Sequence, residues 1–172
     1  MVKVFGIGNR LMMDDGIAIA VLENLKDRLM TLDMEVTILE TDIQFCFQRL
    51  NEDDFIIILD AVYSGREAGS ISLCKLTEAI RSYGETSFQH DMSIFDLIQR
   101  YTKSIRGYLI GIEIGKIGFG CELSGDLKIV FNDICLNTER LLKEIVTEEL
   151  LIGDGFSIMA DASNVIDLLG IY

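Results

Sequence analysis

The residues of this chain best suited to chemistry follow its apolar runs. Asn9, Asp14 and Asp15 come after the first run, Asp60 lies late in the third, His90 and Asp91 sit in a polar stretch, and Glu113 lies near the end of a later run. Asp60 stands in Phe55–Val62 (FIIILDAV), which is almost wholly apolar until it reaches that carboxylate. A carboxylate there is costly to desolvate unless a cation or hydrogen bonds compensate. A helix N-cap or a strand-end hydrogen bond would compensate as well as a cation. His90 is the only histidine. Any step that needs an imidazole ligand or base near neutral pH must use it, although its loop, Ser87 to Asp91, also suits an ordinary surface histidine. Asp14 and Asp15 precede a helical pattern, where acidic residues are favoured by capping and by the helix dipole.

Several familiar sites are excluded by spacing. Gly6-Ile7-Gly8 opens like a dinucleotide fingerprint, but Leu11 stands where the third small residue must allow close helix packing. There is no G-x-x-x-x-G-K phosphate loop and no G-x-S-x-G nucleophile elbow. The four cysteines, Cys46, Cys74, Cys121 and Cys135, form no C-x-x-C, which argues against a zinc knuckle. Buried thiols in a reducing cytosol are the simpler expectation.

The elements that must position these residues alternate along the chain. Val2–Ile7 reads as a short strand ending in a Gly-rich turn. A helix is expected from about Gly16 to Leu29, with Ile17, Val21, Leu22, Leu25 and Leu29 on one face. Val36–Glu40 reads as a strand, Ile43–Leu50 as a short helix, and Phe55–Val62 as a central strand buried on both faces. Ser70–Leu76 alternates like an edge strand, and Ser93 opens a helix with a capping-box-like Asp96. Gly107–Ile114 is a further strand, Lys128–Leu151 a long amphipathic helix, and Ala160–Leu169 a last short one. This order predicts one domain over residues 1–172, a three-layer α/β/α sandwich around a mainly parallel sheet. Ligands of such sheets bind beyond the carboxyl ends of the strands, where the polar residues above fall.

The net charge of −13 argues against nucleic acid, which needs a basic footprint, and against an anionic membrane surface. It permits a basic partner or bound cations. The N-terminus begins as a strand rather than as a secretory leader, and no apolar stretch is long enough to span a bilayer. A cytoplasmic location is the expectation.

The run Phe5-Gly6-Ile7-Gly8-Asn9-Arg10-Leu11-Met12-Met13-Asp14-Asp15-Gly16 closely resembles the opening signature of the hydrogenase maturation endopeptidases, G-x-G-N-x-L-x-x-D-[DE]-G. Ile58 to Val62 resembles that family's apolar strand ending in D-A. His90 to Ile98 resembles its H-x-x-x-L-x-D-L-L stretch, and Gly111 to Ser124 its late G-I-x-P…G-x-x-L-S segment. Three departures stand out. Asp15 replaces a frequent Glu, Leu39 to Asp42 replaces a D-G-G-T segment, and Ile114 replaces a proline.

The resemblance implies an α/β endopeptidase that removes a C-terminal extension from a nickel-loaded hydrogenase large-subunit precursor. By position it maps the family's three metal-binding residues onto Asp15, Asp60 and His90, with the nickel carried by the substrate. Two carboxylates and an imidazole form an O,O,N set suited to a borderline divalent ion with open positions. Such an ion can polarise a scissile carbonyl or lower the pKa of bound water; alternatively nickel only docks the substrate, and Asp15 or Asp60 is then the group expected to activate water. The alternatives are a non-catalytic nickel-sensing or binding module of the same fold, and a nucleotide-binding α/β domain, against which the failed third glycine and the charge both count.

Overall fold

A computed structural model describes residues 1–42, 50–51, 54–86 and 106–153. The expected helices at Ile43–Leu50, Ser93 and Ala160–Leu169 fall wholly or almost wholly outside these residues, as does His90.

The described chain runs β1 (Val2–Ile7), a 3-10 turn (Met13–Gly16), α1 (Ile17–Met30), β2 (Met34–Glu40), β3 (Phe55–Val62), β4 (Ile71–Lys75), α2 (Leu76–Thr86), β5 (Arg106–Glu113) and α3 (Gly125–Gly153). The five strands form one sheet in the order β2-β1-β3-β5-β4. All neighbours are parallel except β4, which runs antiparallel to β5 at the edge. The expected α/β/α sandwich is therefore what forms, with the expected edge strand antiparallel.

The two faces of β3 separate the two cores. Ile57 and Leu59 point to one side, where they pack with Leu22 and Leu25 of α1 and with Ile134 and Leu142 of α3. Ile56 and Ile58 point to the other, with Phe5, Leu39, and Leu76 and Ala79 of α2. Side chains alternate along a strand, so an unbroken apolar run of this kind requires helices on both sides.

Because β1, β2, β3 and β5 are parallel, their carboxyl ends share one edge of the sandwich. That edge collects Asn9 to Gly16, Asp60 and Glu113. The opposite edge is closed differently. There Lys3 and Asp54, both buried, form an ion pair of 2.6 Å.

Two boundaries differ from the sequence reading for physical reasons. The alternating run Ser70–Leu76 ends one residue early as a strand, because Leu76 is already the first residue of α2, an element the alternation concealed. The long helix begins at Gly125 rather than Lys128, since Ser124 caps it. Its carbonyl accepts the Lys128 amide at 3.0 Å, and its hydroxyl lies 3.5 Å from the Leu127 amide.

Candidate active site

The Gly-rich turn after β1 is built to bring Asp15 back against the strand end. Gly8 has φ +143°, and a Cβ there would overlap the carbonyl oxygen of Asp15. Only glycine tolerates so close a backbone approach at positive φ. Gly6 serves the layer behind it, since a Cβ there would lie 2.8 Å from Leu22 Cδ1 of α1. Asn9 then fastens the turn. Its amide donates to Asp15 Oδ2 at 2.8 Å, while its side-chain carbonyl accepts the Leu11 amide at 2.9 Å. Arg10 faces outward and ties the turn to Glu23 of α1 and Glu40 of β2 through three bonds of 2.7 to 2.9 Å. These partners hold the guanidinium pKa above its ordinary value.

Asp60 arrives from the neighbouring strand. In the register the last β1 partner is Gly6, opposite Leu59, so Asp60 is the first β3 residue beyond the pairing with β1. It is half-buried, and one carboxylate oxygen accepts the amide of Ala61 at 2.8 Å. Desolvation raises its pKa, the Ala61 amide lowers it, and the negative charge of Asp15 raises it further, giving a value of about 7. The charge of Asp15, distant in sequence, thus reaches Asp60 at the carboxyl edge of the sheet, as the smallest of the three causes. Among the described residues, each carboxylate accepts one hydrogen bond, in each case from a backbone amide.

The other two acids at this edge are wrapped instead. Asp14 is fully buried. Its Oδ1 accepts the Ser124 amide at 2.6 Å, and its Oδ2 accepts the Ser124 hydroxyl at 2.9 Å, the Lys116 amide at 2.9 Å and the Gly115 amide at 3.3 Å. Neither Asp14 nor Asp15 caps a helix: the 3-10 turn and α1 both lack a side-chain cap, which corrects the simple expectation for an acidic pair before a helix. Glu113, also buried, receives the amide and hydroxyl of Ser64, each at 2.7 Å, and the amides of Gly65 at 2.8 Å and Arg66 at 3.2 Å. Burial alone would raise its pKa, but these donors together hold it below the usual carboxylate range. Such backbone concavities around an anion are a recurrent loop-fixing device.

The structure thus brings Asp15 and Asp60 to one place and assigns Asp14 and Glu113 to the loops around them. His90 lies outside the described residues. Among the described residues no three His, Cys, Asp or Glu side chains form a group able to hold a metal ion. The sequence reading missed Ser64 and Ser124 as partners of buried acids. Ser124, placed before a long amphipathic stretch, carried a legible N-cap signal.

A five-stranded mixed sheet with helices on both faces, a G-x-G-N turn returning an acid to the strand end, and a second acid leaving the central strand together define a class. The model of the hydrogenase maturation protease family matches residues 19–135, and the chain belongs to that family. Among individual relatives, it is similar to the hydrogenase expression/formation protein HupD of Bradyrhizobium diazoefficiens, 33% identical over 121 residues that cover 65% of this chain and 62% of that protein. HupD of Rhizobium leguminosarum bv. viciae is 30% identical over 121 residues, covering 65% and 58% respectively. The alignment therefore spans about three-fifths of the length of these curated relatives.

Among solved structures, the hydrogenase maturating endopeptidase HybD from E. coli superposes with a TM-score of 0.65 at 18% identity, over 83% of this chain and 92% of that one. The [NiFe] hydrogenase maturation protease HybD from Thermococcus kodakarensis gives 0.60 at 22% identity, over 81% and 97%. At these identities the likeness is one of fold. Among the described residues no helix is long and apolar enough to cross a membrane.

Proposed function

We propose that this chain is an endopeptidase that removes a C-terminal extension from a nickel-loaded hydrogenase large-subunit precursor, in the cytoplasm, with Asp15, Asp60 and His90 receiving the nickel. Family membership supports the reaction class. The observation that supports the site is the parallel register that sets Asp15 and Asp60 beyond neighbouring strand ends at one edge of the sheet, where the charge of Asp15 reaches Asp60. Two acids that repel each other, and that have few donors of their own, fit a cation, because a positive charge between them relieves the repulsion. Nickel arrives here as part of the substrate, and when bound it would supply a Lewis acid beside the scissile peptide.

The chain's own contribution is acid–base chemistry and positioning. In the free chain the Asp60 carboxyl pKa is raised to about 7, so it exchanges a proton near neutral pH before substrate arrives, and a cation received there would lower that value. The Asn9 amide holds the Asp15 side chain in place. Asp15 or Asp60 is the group assigned to draw a proton from water, with the other orienting the reacting centre.

The test is incubation of the full chain with a large-subunit precursor, nickel-loaded or nickel-free, read by product mass. Cleavage of the loaded form alone is the expected result. Nickel-dependent association without cleavage would instead select the non-catalytic sensing module, and cleavage of both forms would remove nickel from the proposal.

A further inference from the structure

We infer that Asp14 is a positioning residue for the proposed cleavage, acting through the turn it shares with Asp15. This inference rests on the reading of Asp15 and Asp60 as the working pair.

The 3-10 turn that carries Asp15 is held from outside rather than by its own geometry. It has no side-chain cap, and its first residue, Met13, sits at φ +52°. A non-glycine residue in that region is strained and persists where its surroundings over-determine it. Beside Asn9 and Arg10, those surroundings include one loop, the segment from Gly115 to Ser124 between β5 and α3. Met13 donates its amide to the Gly120 carbonyl at 2.8 Å, and Gly120 returns a bond to the Leu11 carbonyl at 2.9 Å. Asp14 supplies the rest of the clamp through its four bonds to Gly115, Lys116 and Ser124. One buried carboxylate therefore joins the Asp15 turn to both ends of that loop and to the first turn of α3.

The donor pattern makes this carboxylate hard to replace. An ionised carboxylate only accepts hydrogen bonds. Both oxygens of Asp14 face backbone amides, Ser124 on one side and Gly115 and Lys116 on the other. An asparagine in either orientation directs an NH₂ at one of them. Asp14 is too enclosed to meet substrate, so its influence on the reaction must pass through the placement of Asp15. A misplacement of about 1 Å at a reacting group is enough to cost on the order of a hundredfold in rate.

The experiment compares kcat, KM and Tm for Asp14→Asn, Ser124→Ala and Ser124→Thr on the precursor, alongside Asp15→Asn and Asp60→Asn. Ser124→Ala removes one of the four donors and leaves the backbone ones, so it tests the idea even where Asp14→Asn does not fold. The expected result is a kcat lowered roughly three- to tenfold for Ser124→Ala and about a hundredfold for Asp14→Asn. KM should stay close to the parent value, and Ser124→Thr, which keeps the hydroxyl, should restore kcat. A lowered Tm with an unchanged kcat per folded molecule in Ser124→Ala would overturn the inference while leaving the pair intact. Normal cleavage by Asp15→Asn and Asp60→Asn would instead overturn the reading of the pair itself.

Discussion

Four of the acids at the carboxyl edge of this sheet divide into two kinds. Asp14 and Glu113 are buried and each accepts four hydrogen bonds from loop residues. Asp15 and Asp60 are partly open, each with one backbone donor among the described residues, and Asp60 is pushed up to about 7 partly by its neighbour's charge. Within the wrapped pair the charged form of Glu113 is favoured by the fold, and within the open pair the charged form of Asp60 is disfavoured. A carboxylate such as Asp60, whose charged form the fold disfavours, is a candidate for function, since stability gains nothing from it. Asp14 and Asp15 are adjacent in sequence, so the division lies in how the chain surrounds them and not in residue type.

The largest effect should come from the open pair. Asp15→Asn is expected to lower cleavage of the loaded precursor by at least about a hundredfold with little change in Tm; a rate within threefold of the parent would place the working charge elsewhere. Next is the turn that delivers it. Gly8→Ala adds a Cβ against the Asp15 carbonyl at positive φ, and should cost about 2–4 kcal/mol by denaturant unfolding. A change under about 0.5 kcal/mol, the usual size for an unconstrained surface site, would mean that the close approach is not needed.

Glu113→Gln turns a donor toward donors in the Ser64 loop. A loss of about 1.5–3 kcal/mol is expected at neutral pH. Its pH dependence has a definite sign. The Glu113 pKa is lowered in the fold, so its contribution is fully present above the ordinary Glu value of about 4.3 and is lost as pH falls through the folded value. The gap between parent and variant should therefore close in acid, and a gap independent of pH would assign the loss to packing.

The smallest effect has the opposite sign. Asp60 is raised, so the folded state holds a proton more tightly than the unfolded chain does. Its destabilising contribution is absent below the unfolded value of about 3.9 and grows as pH rises to about 7. Asp60→Asn should match the parent in Tm near pH 4 and equal or exceed it at pH 7.

Much of the fold was legible because parallel strands announce themselves. FIIILDAV reads as a strand covered on both faces, and the parallel order sends the carboxyl ends of β1, β2, β3 and β5 to one edge, where Asp15 and Asp60 stand. α2 was hidden because Lys75 passes directly into Leu76 with no turn residue between them. Asp14 could not be told from Asp15 by pattern, since its Ser124 partner lies 110 residues away, a contact that only the tertiary fold creates. Glu113 was visible as a strand-end acid, but its donors are mostly backbone amides of Ser64, Gly65 and Arg66, and amides carry no sequence signal.

The division between the two kinds of acid is tested most directly on a single preparation of Asp60→Asn at pH 7, measuring Tm and the rate of cleavage of nickel-loaded precursor together. The account predicts a protein at least as stable as its parent that no longer cleaves. A variant that melts earlier yet still cleaves at the parent rate would contradict it, and would move Asp60 into the company of Asp14 and Glu113.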